Sequence, residues 1–143
     1  MPWSCLRYTH SMAAPHKRIA LVDDDASIRR ALERLLRTFA FDTETYASGR
    51  DFLAAVHVFR PDCVILDLHM EGMSGLDVQR HLLRLGMQAP VVMISGHDSP
   101  GARNECLSLG AAEFIPKPVD GPFLISTIER LMNRLRTGSV IRP

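Results

Sequence analysis

The sequence has few cysteines, no long apolar run and almost no net charge. Its three cysteines, Cys5, Cys63 and Cys106, form no C-x-x-C pair, which argues against a zinc or redox site and favours reduced thiols in a cytoplasmic protein. No apolar run approaches the ~20 residues needed to cross a bilayer. Residues 1–17 also have no apolar stretch typical of a signal peptide. A net charge of +1 leaves no overall field to attract nucleic acid or a membrane.

What is present is the composition of an ordinary globular domain. The chain has 143 residues, of which 46% are hydrophobic and 23% are charged, enough for one buried core. Regular patterns begin near Lys17 and end near Arg136. We predict a flexible N-terminal extension at residues 1–16, one folded domain at 17–136 and an aperiodic C-terminal tail at 137–143. Trp3 and Tyr8 give the extension an alternative role in docking.

Five short runs of apolar or β-branched residues alternate with stretches of helical periodicity. The runs are Ile19–Val22, Thr43–Ala47, Cys63–Leu66, Val91–Ile94 and Glu113–Ile115. Three are wholly apolar, as in strands buried on both faces. After each run, most weakly after the fourth, apolar residues recur with the period of an amphipathic helix. The pattern predicts an α/β fold with a doubly wound, five-stranded parallel sheet and helices on both faces.

Polar residues follow four of the five predicted strands. Asp23-Asp24-Asp25 follows the first strand, Asp67 the third, Ser95 the fourth and Lys117 the fifth. The carboxyl ends of parallel strands share one edge of a sheet, where such folds bind ligands. Carboxylates crowded at this edge repel one another unless a cation is present. We predict Mg²⁺, since it is held by one or two carboxylates and completes its shell with water and phosphate oxygens.

A cation, a carboxylate, a hydroxyl group and an ammonium group together suit the transfer of a phosphoryl group to an aspartate. The cation and Lys117 would neutralise charge on the phosphoryl oxygens while Asp67 attacks in line. Each residue alone has an ordinary explanation as a helix cap, a turn residue or a solvated lysine. Their joint placement after strands one, three, four and five is the specific signal.

These residues give the chain a strong resemblance to the receiver domain of bacterial two-component response regulators, over Lys17 to Arg136. The matching segments are IALVDDD at 19–25, VILDLHM at 64–70, VVMISG at 91–96 and FIPKP at 114–118. The resemblance implies the flavodoxin-like strand order 2-1-3-4-5. It also implies that Asp67 is the phosphoacceptor and that Mg²⁺ is held by Asp23, Asp24, Asp67 and the backbone carbonyl of His69.

The resemblance assigns three further residues to reading the phosphoryl group. Ser95 would be the switch hydroxyl, Lys117 the cation that contacts the phosphate, and Phe114 the aromatic switch residue. The Lys117–Pro118 peptide bond is expected to be cis. Asp25, which follows the acidic pair of the family pattern, is expected to cap the first helix instead of holding metal.

Two features depart from the pattern or extend it. Glu71 follows Met70 where receiver domains commonly have proline, so an extra carboxylate lies near the metal site or points to solvent. His69 and His97 stand two residues beyond Asp67 and Ser95, positions that in the family gate the phosphoryl group. We expect them to tune its lifetime, the alternative being that both are exposed loop histidines without effect.

The resemblance also implies partners and limits. The phosphoryl group would come from a sensor histidine kinase or a histidine phosphotransfer protein, and the surface of the fourth helix, fifth strand and fifth helix would bind a partner or form a homodimer. The chain would promote its own phosphorylation and dephosphorylation without being a turnover enzyme. Seven residues after Arg136 are too few for a helix-turn-helix, so no direct DNA binding is expected.

Three alternatives stay open. The chain could be the receiver portion of a DNA-binding transcriptional regulator, or a receiver-like module that binds partners without phosphate. It could also be an aspartate-nucleophile phosphatase, but such enzymes have a second aspartate two residues after the nucleophile, where this chain has His69.

Overall fold

The computed structural model describes residues 16–97 and 99–141, in which strands and helices alternate. The strands are β1 (Arg18–Val22), β2 (Asp42–Tyr46), β3 (Cys63–Asp67), β4 (Val91–Ser95) and β5 (Glu113–Pro116). The helices are α1 (Ala26–Thr38), α2 (Gly49–Phe59), α3 (Gly75–Arg84), α4 (Pro100–Ser108) and α5 (Gly121–Ile141). The predicted docking residues of the extension, Trp3 and Tyr8, lie outside the described residues.

The five strands form one parallel sheet in the order β2-β1-β3-β4-β5. This confirms both the predicted fold class and the predicted strand order. The register pairs Val22 with Leu66, Asp67 with Ile94 and Ser95 with Pro116. Because all strands run the same way, the residues that follow β1, β3, β4 and β5 collect at one edge of the sheet.

Alternate residues of each central strand enter two different cores, as a period of two requires. Ile19 and Leu21 of β1 face the helices α1 and α5, together with Ile65 and Ile94 of neighbouring strands. Ala20 and Val22 belong to the opposite core, which contains residues of α2, α3 and α4. The central strands are buried on both sides, which holds their carboxyl ends in fixed positions.

Polar side chains cap the starts of α1, α3 and α4. Asp25 is the N-cap of α1 and accepts hydrogen bonds from the backbone N–H groups of Ser27 and Ile28, as expected for this residue. Ser74 and Asp77 form a reciprocal capping box at the start of α3. α4, the helix with the weakest apolar pattern, begins after Ser99, whose side chain accepts from the N–H of Ala102.

The last helix is longer than the sequence pattern predicted. α5 continues to Ile141, so the stretch predicted to be a C-terminal tail from residue 137 is helical as far as Ile141. Once a helix is nucleated, each further residue loses its conformational entropy but adds one backbone hydrogen bond. The helix can therefore continue beyond the end of its apolar pattern. Over the described residues, no helix is both long and apolar enough to span a membrane.

Gly75, the first residue of α3, sits against the end of β3. A Cβ atom there would lie 2.5 Å from the carbonyl oxygen of Asp67 and 2.8 Å from Cα of Leu68. The N–H of Gly75 donates to the carbonyl of Leu68 at 2.8 Å. Only glycine lets the helix start this close to the strand, so Gly75 sets the path of the loop after Asp67.

Gly75→Ala should therefore destabilise the protein by about 1–3 kcal/mol, since backbone atoms of β3 cannot move aside as a flexible side chain could. Urea denaturation measures the loss. Gly101→Ala is the matched control, because a Cβ at Gly101 in the first turn of α4 meets nothing within 4 Å. That variant should be neutral or up to about 1 kcal/mol more stable, since alanine favours helix over glycine. Equal effects of the two substitutions would contradict the close approach at Gly75.

Candidate functional site

Three carboxylates meet at the carboxyl edge of the sheet. One oxygen from each of Asp23, Asp24 and Asp67 lies within 4.8 Å of the others. Asp23 and Asp67 are buried, whereas Asp24 is exposed. Asp25 is not part of this group because its carboxylate caps α1. The structure thus brings together the three aspartates that the sequence predicted and leaves out the one expected to be a cap.

Lys117 bridges two of these carboxylates. Its Nζ lies 3.1 Å from Oδ2 of Asp23 and 3.3 Å from Oδ1 of Asp67. The backbone N–H of Lys117 donates to the carbonyl of Ser95 at 2.7 Å, which fixes the start of the loop after β5 to the end of β4. The expected cis peptide bond between Lys117 and Pro118 is present.

The electrostatics of the site set the protonation of Asp67. Burial and the nearby charge of Asp23 raise the pKa of Asp67 to about 6, although Lys117 and the N–H of His69 act in the opposite direction. Burial alone would lower the pKa of Lys117. Its close contact with Asp23 and the charges of Asp67 and Asp23 outweigh burial, so the pKa of Lys117 is raised and the ammonium stays charged.

The donor set fits a hard divalent cation. Three carboxylates face a single bridging ammonium, so the cluster carries excess negative charge at neutral pH. The buried Oδ2 of Asp23 accepts no well-aligned hydrogen bond, even though Lys117 Nζ is 3.1 Å away. Carboxylate oxygens with water are the ligands Mg²⁺ prefers. Asp23, Asp24 and Asp67 are the residues that could hold it.

Backbone groups orient the acidic side chains, and sequence reasoning missed these contacts. The N–H of Asp25 donates to Oδ1 of Asp23 at 2.9 Å. The N–H of His69 is 3.3 Å from Oδ1 of Asp67, and the N–H of Glu71 donates to Oδ2 of Asp24 at 3.2 Å. A proline at position 71, common in receiver domains, could not make the last bond. Glu71 therefore adds a backbone N–H donor to the site. The absence of proline at position 71 is the sequence feature from which this donor could have been predicted.

The hydroxyl of Ser95 is held by its own loop. It accepts from the N–H of His97 at 3.0 Å and lies 3.1 Å from the carbonyl oxygen of His97, to which it can donate. Ser95 is fully buried. His69 and His97 are both exposed, and their rings meet edge to face with centroids 5.1 Å apart. The loops after β3 and β4 thus touch through two histidines beside the acidic cluster.

Phe114, the expected aromatic switch residue, is buried in β5 with 2% of its surface exposed. The guanidinium carbon of Arg103, on α4, lies 4.8 Å from the centre of the Phe114 ring. A cation over an aromatic face is attracted by the ring quadrupole. Phe114 therefore ties β5 to α4 by packing and by this contact, without a hydroxyl group.

The chain belongs to the family of response regulator receiver domains, which matches residues 19–129. It is accordingly a receiver domain of the kind found in two-component systems. The fold, the acidic cluster at the sheet edge and the bridging lysine agree with this family.

Known relatives agree in both sequence and structure. The response regulator protein TodT of Pseudomonas putida is 35% identical over 134 residues, which cover 88% of this chain and 59% of that protein. The DNA-binding response regulator MtrA of Mycobacterium bovis is 37% identical over 123 residues, covering 86% and 54%. The chemotaxis protein CheY4 of Vibrio cholerae superposes with a TM-score of 0.78 at 28% identity, covering 82% and 99%. The chain thus spans little more than half the length of TodT and MtrA.

The raised pKa of Asp67 predicts how stability depends on pH without metal. Above pH 6, Asp67 is charged in both the folded and unfolded chain, and folding bears the full cost of burying that charge. The cost shrinks as pH falls through about 6 towards the unfolded value near 3.9, because the folded state binds the proton first. In EDTA, Asp67→Asn should therefore be more stable than wild type by about 1–2 kcal/mol at pH 7.5, allowing for solvent screening at the mouth of the site.

Urea denaturation at pH 7.5 and pH 4.5 measures this difference. We expect most of the advantage of Asp67→Asn to disappear at pH 4.5, and millimolar Mg²⁺ at pH 7.5 to stabilise wild type more than the variant. An advantage of the same size at both pH values would show that the buried charge is not its cause.

Proposed function

We propose that this chain accepts a phosphoryl group on Asp67 in a Mg²⁺-dependent reaction and thereby changes its partner-binding surface. The observation that carries the proposal is the position of Asp67: a buried carboxylate at a strand end, 3.3 Å from an ammonium group and clustered with two further carboxylates. The donor would be a phosphohistidine on a sensor histidine kinase or a histidine phosphotransfer protein.

The residues divide the chemistry as follows. A carboxylate oxygen of Asp67 attacks phosphorus, a P–O bond forms, the P–N bond to the donor imidazole breaks, and that nitrogen takes up a proton. Lys117 stabilises negative charge on the phosphoryl oxygens. Mg²⁺, held by Asp23, Asp24, Asp67 and the backbone carbonyl of His69, would supply further neutralisation of that charge. Hydrolysis of the aspartyl phosphate releases inorganic phosphate and restores the carboxylate of Asp67. The chain would thus promote its own phosphorylation and dephosphorylation without turning over an external substrate.

The switch would begin at Ser95. Its hydroxyl is held by the backbone of His97, and a phosphoryl oxygen on Asp67 would compete for it. Release of the turn at His97 would shift the loop leading into α4, which contacts Phe114 through Arg103. The surface of α4, β5 and α5 would then favour a partner or a second copy of the chain. The phosphoryl group acts by stabilising one of two arrangements.

Phosphorylation is tested with Mg²⁺ and acetyl phosphate, followed by intact mass measurement. Wild type should gain the mass of one phosphoryl group, whereas Asp67→Asn should gain none because an amide is not a nucleophile of this kind. Lys117→Ala should lower the rate by about 10²-fold or more, as expected for loss of one charge-stabilising group. Asp25→Asn, which alters the acid that caps α1, is the matched control and should react like wild type. Equal labelling of wild type and Asp67→Asn would overturn the proposal.

We further propose that His69 and His97 act as a pair on the lifetime of the phosphoryl group. Their rings are in contact, and the backbone N–H of His69 lies 3.3 Å from Oδ1 of Asp67, so removing either ring would give water easier access to the same side of the site. His69→Ala and His97→Ala should each change the rate of phosphate loss about 2–10-fold, and the double variant should differ from the product of the two single effects, since contacting residues couple. The rate of phosphate release is measured for wild type, the two single variants and the double variant. Unchanged rates would show that both are merely exposed loop residues.

A second candidate role is that of the receiver portion of a DNA-binding regulator. What favours it is that MtrA, whose name states DNA binding, is matched over 54% of its length. The coding sequence on either side of this chain decides between this role and that of a stand-alone receiver.

A cytoplasmic location also stays a prediction; Cys63 and Cys106 are free and buried, in keeping with reduced thiols.

A further inference from the structure

A polar cavity lies on the loop that follows Asp67, separate from the acidic cluster. It has a volume of about 270 Å³ and is formed where the start of α2, the loop and α3 meet. Its lining includes Arg50, Arg80 and Arg84, together with Gly72 and Met73 of the loop. We call it the arginine cavity. Its charge is opposite to that of the acidic cluster.

One of the three arginines is already neutralised. Asp77, which also lines the cavity, uses both carboxylate oxygens: Oδ1 binds Arg80 at 3.3 Å and Oδ2 accepts the N–H of Ser74 at 3.2 Å. Its hydrogen bonds with Ser74 and, to a smaller extent, the charge of Arg80 lower the pKa of Asp77, so this carboxylate stays charged. Arg80 also reaches Glu105 at 3.7 Å. Arg80 is therefore a structural residue whose charge is balanced.

The other two arginines have no such balance. Within the part of the chain that the structure describes, neither Arg50 nor Arg84 has an ion-pair or side-chain hydrogen-bond partner. Both are exposed on the cavity wall. His81 also lines the cavity; its Nδ1 lies 2.9 Å from the carbonyl of Asp77, which leaves Nε2 as its second polar atom. The cavity thus offers two guanidinium groups and an imidazole to a ligand.

We propose that the arginine cavity binds a small phosphate-bearing anion. Guanidinium groups present planar forks of N–H donors that match phosphate oxygens in pairs. A phosphate with close to two negative charges balances the two unpaired arginines, which a single carboxylate would not. The volume of about 270 Å³ admits inorganic phosphate, pyrophosphate or a small phosphate ester.

The position of the cavity links it to the acidic cluster through the loop after Asp67. Gly72 and Met73 line it, and the preceding residue, Glu71, donates its N–H to Asp24 in the acidic cluster. A bound anion would contact the same short loop that orients one of the candidate metal ligands. The binding itself goes beyond the proposed phosphorylation and does not depend on it.

Pyrophosphate is the probe, added to ¹⁵N-labelled protein in EDTA so that no divalent ion bridges it to the acidic cluster. Amide signals of Gly72, Met73 and Asp77 should shift and saturate. The double variant Arg50→Gln, Arg84→Gln should bind at least about 10-fold more weakly, since two charge-assisted contacts are lost. The control Arg30→Gln, Arg34→Gln removes the same charge from another arginine-lined polar pocket, on α1, and should change the affinity measured at these three amides less than about 2-fold.

Several results would overturn the proposal. These are shifts that do not saturate, shifts confined to Ser95 and Lys117, or an equal loss of affinity in the α1 control. Succinate should bind much more weakly than pyrophosphate, and equal affinity would overturn the assignment to phosphate. Both double variants change exposed arginines, and matching thermal unfolding curves would show that each is folded.

Discussion

The site depends on the repulsion between Asp23 and Asp67 and on the single ammonium group that bridges them. Both carboxylates are buried at the end of a central strand, where water cannot screen them well, and the result is a pKa of about 6 for Asp67. Lys117 relieves part of this repulsion, with contacts of 3.1 and 3.3 Å. The remaining negative charge explains why the site suits a divalent cation.

The scaffold makes this unfavourable arrangement possible. β1, β3 and β4 are buried on both faces by two separate cores, so the strand ends cannot move apart to lower the repulsion. Gly75 allows α3 to start against β3, which keeps the loop after Asp67 short and close to the site. Backbone N–H groups of Asp25, His69 and Glu71 then hold the three carboxylates. Stability in the cores offsets the electrostatic cost at the edge.

The loop after Asp67 lies between two regions of opposite charge. On one side its Glu71 N–H contacts the acidic cluster, and on the other Gly72 and Met73 line the arginine cavity. His69, from the same loop, meets His97 from the loop after β4. Metal, phosphoryl group and a bound anion would therefore all act on one segment of about seven residues, which is a physical route for coupling among them.

The sequence alone determined the fold class and the membership of the acidic cluster, because apolar runs and the polar residues that follow them are local patterns. Strand order came from the resemblance, and so did the separation of Asp25 from Asp23 and Asp24, because the acidic pair of the family pattern directly follows the strand. Only the tertiary structure decided the contacts between distant segments: the Glu71 bond to Asp24, the His69–His97 pair, the cation over Phe114 and the arginine cavity. It also decided the length of α5, which runs past its apolar pattern to Ile141. Such features depend on distances between residues far apart in the chain, and no periodicity encodes those distances.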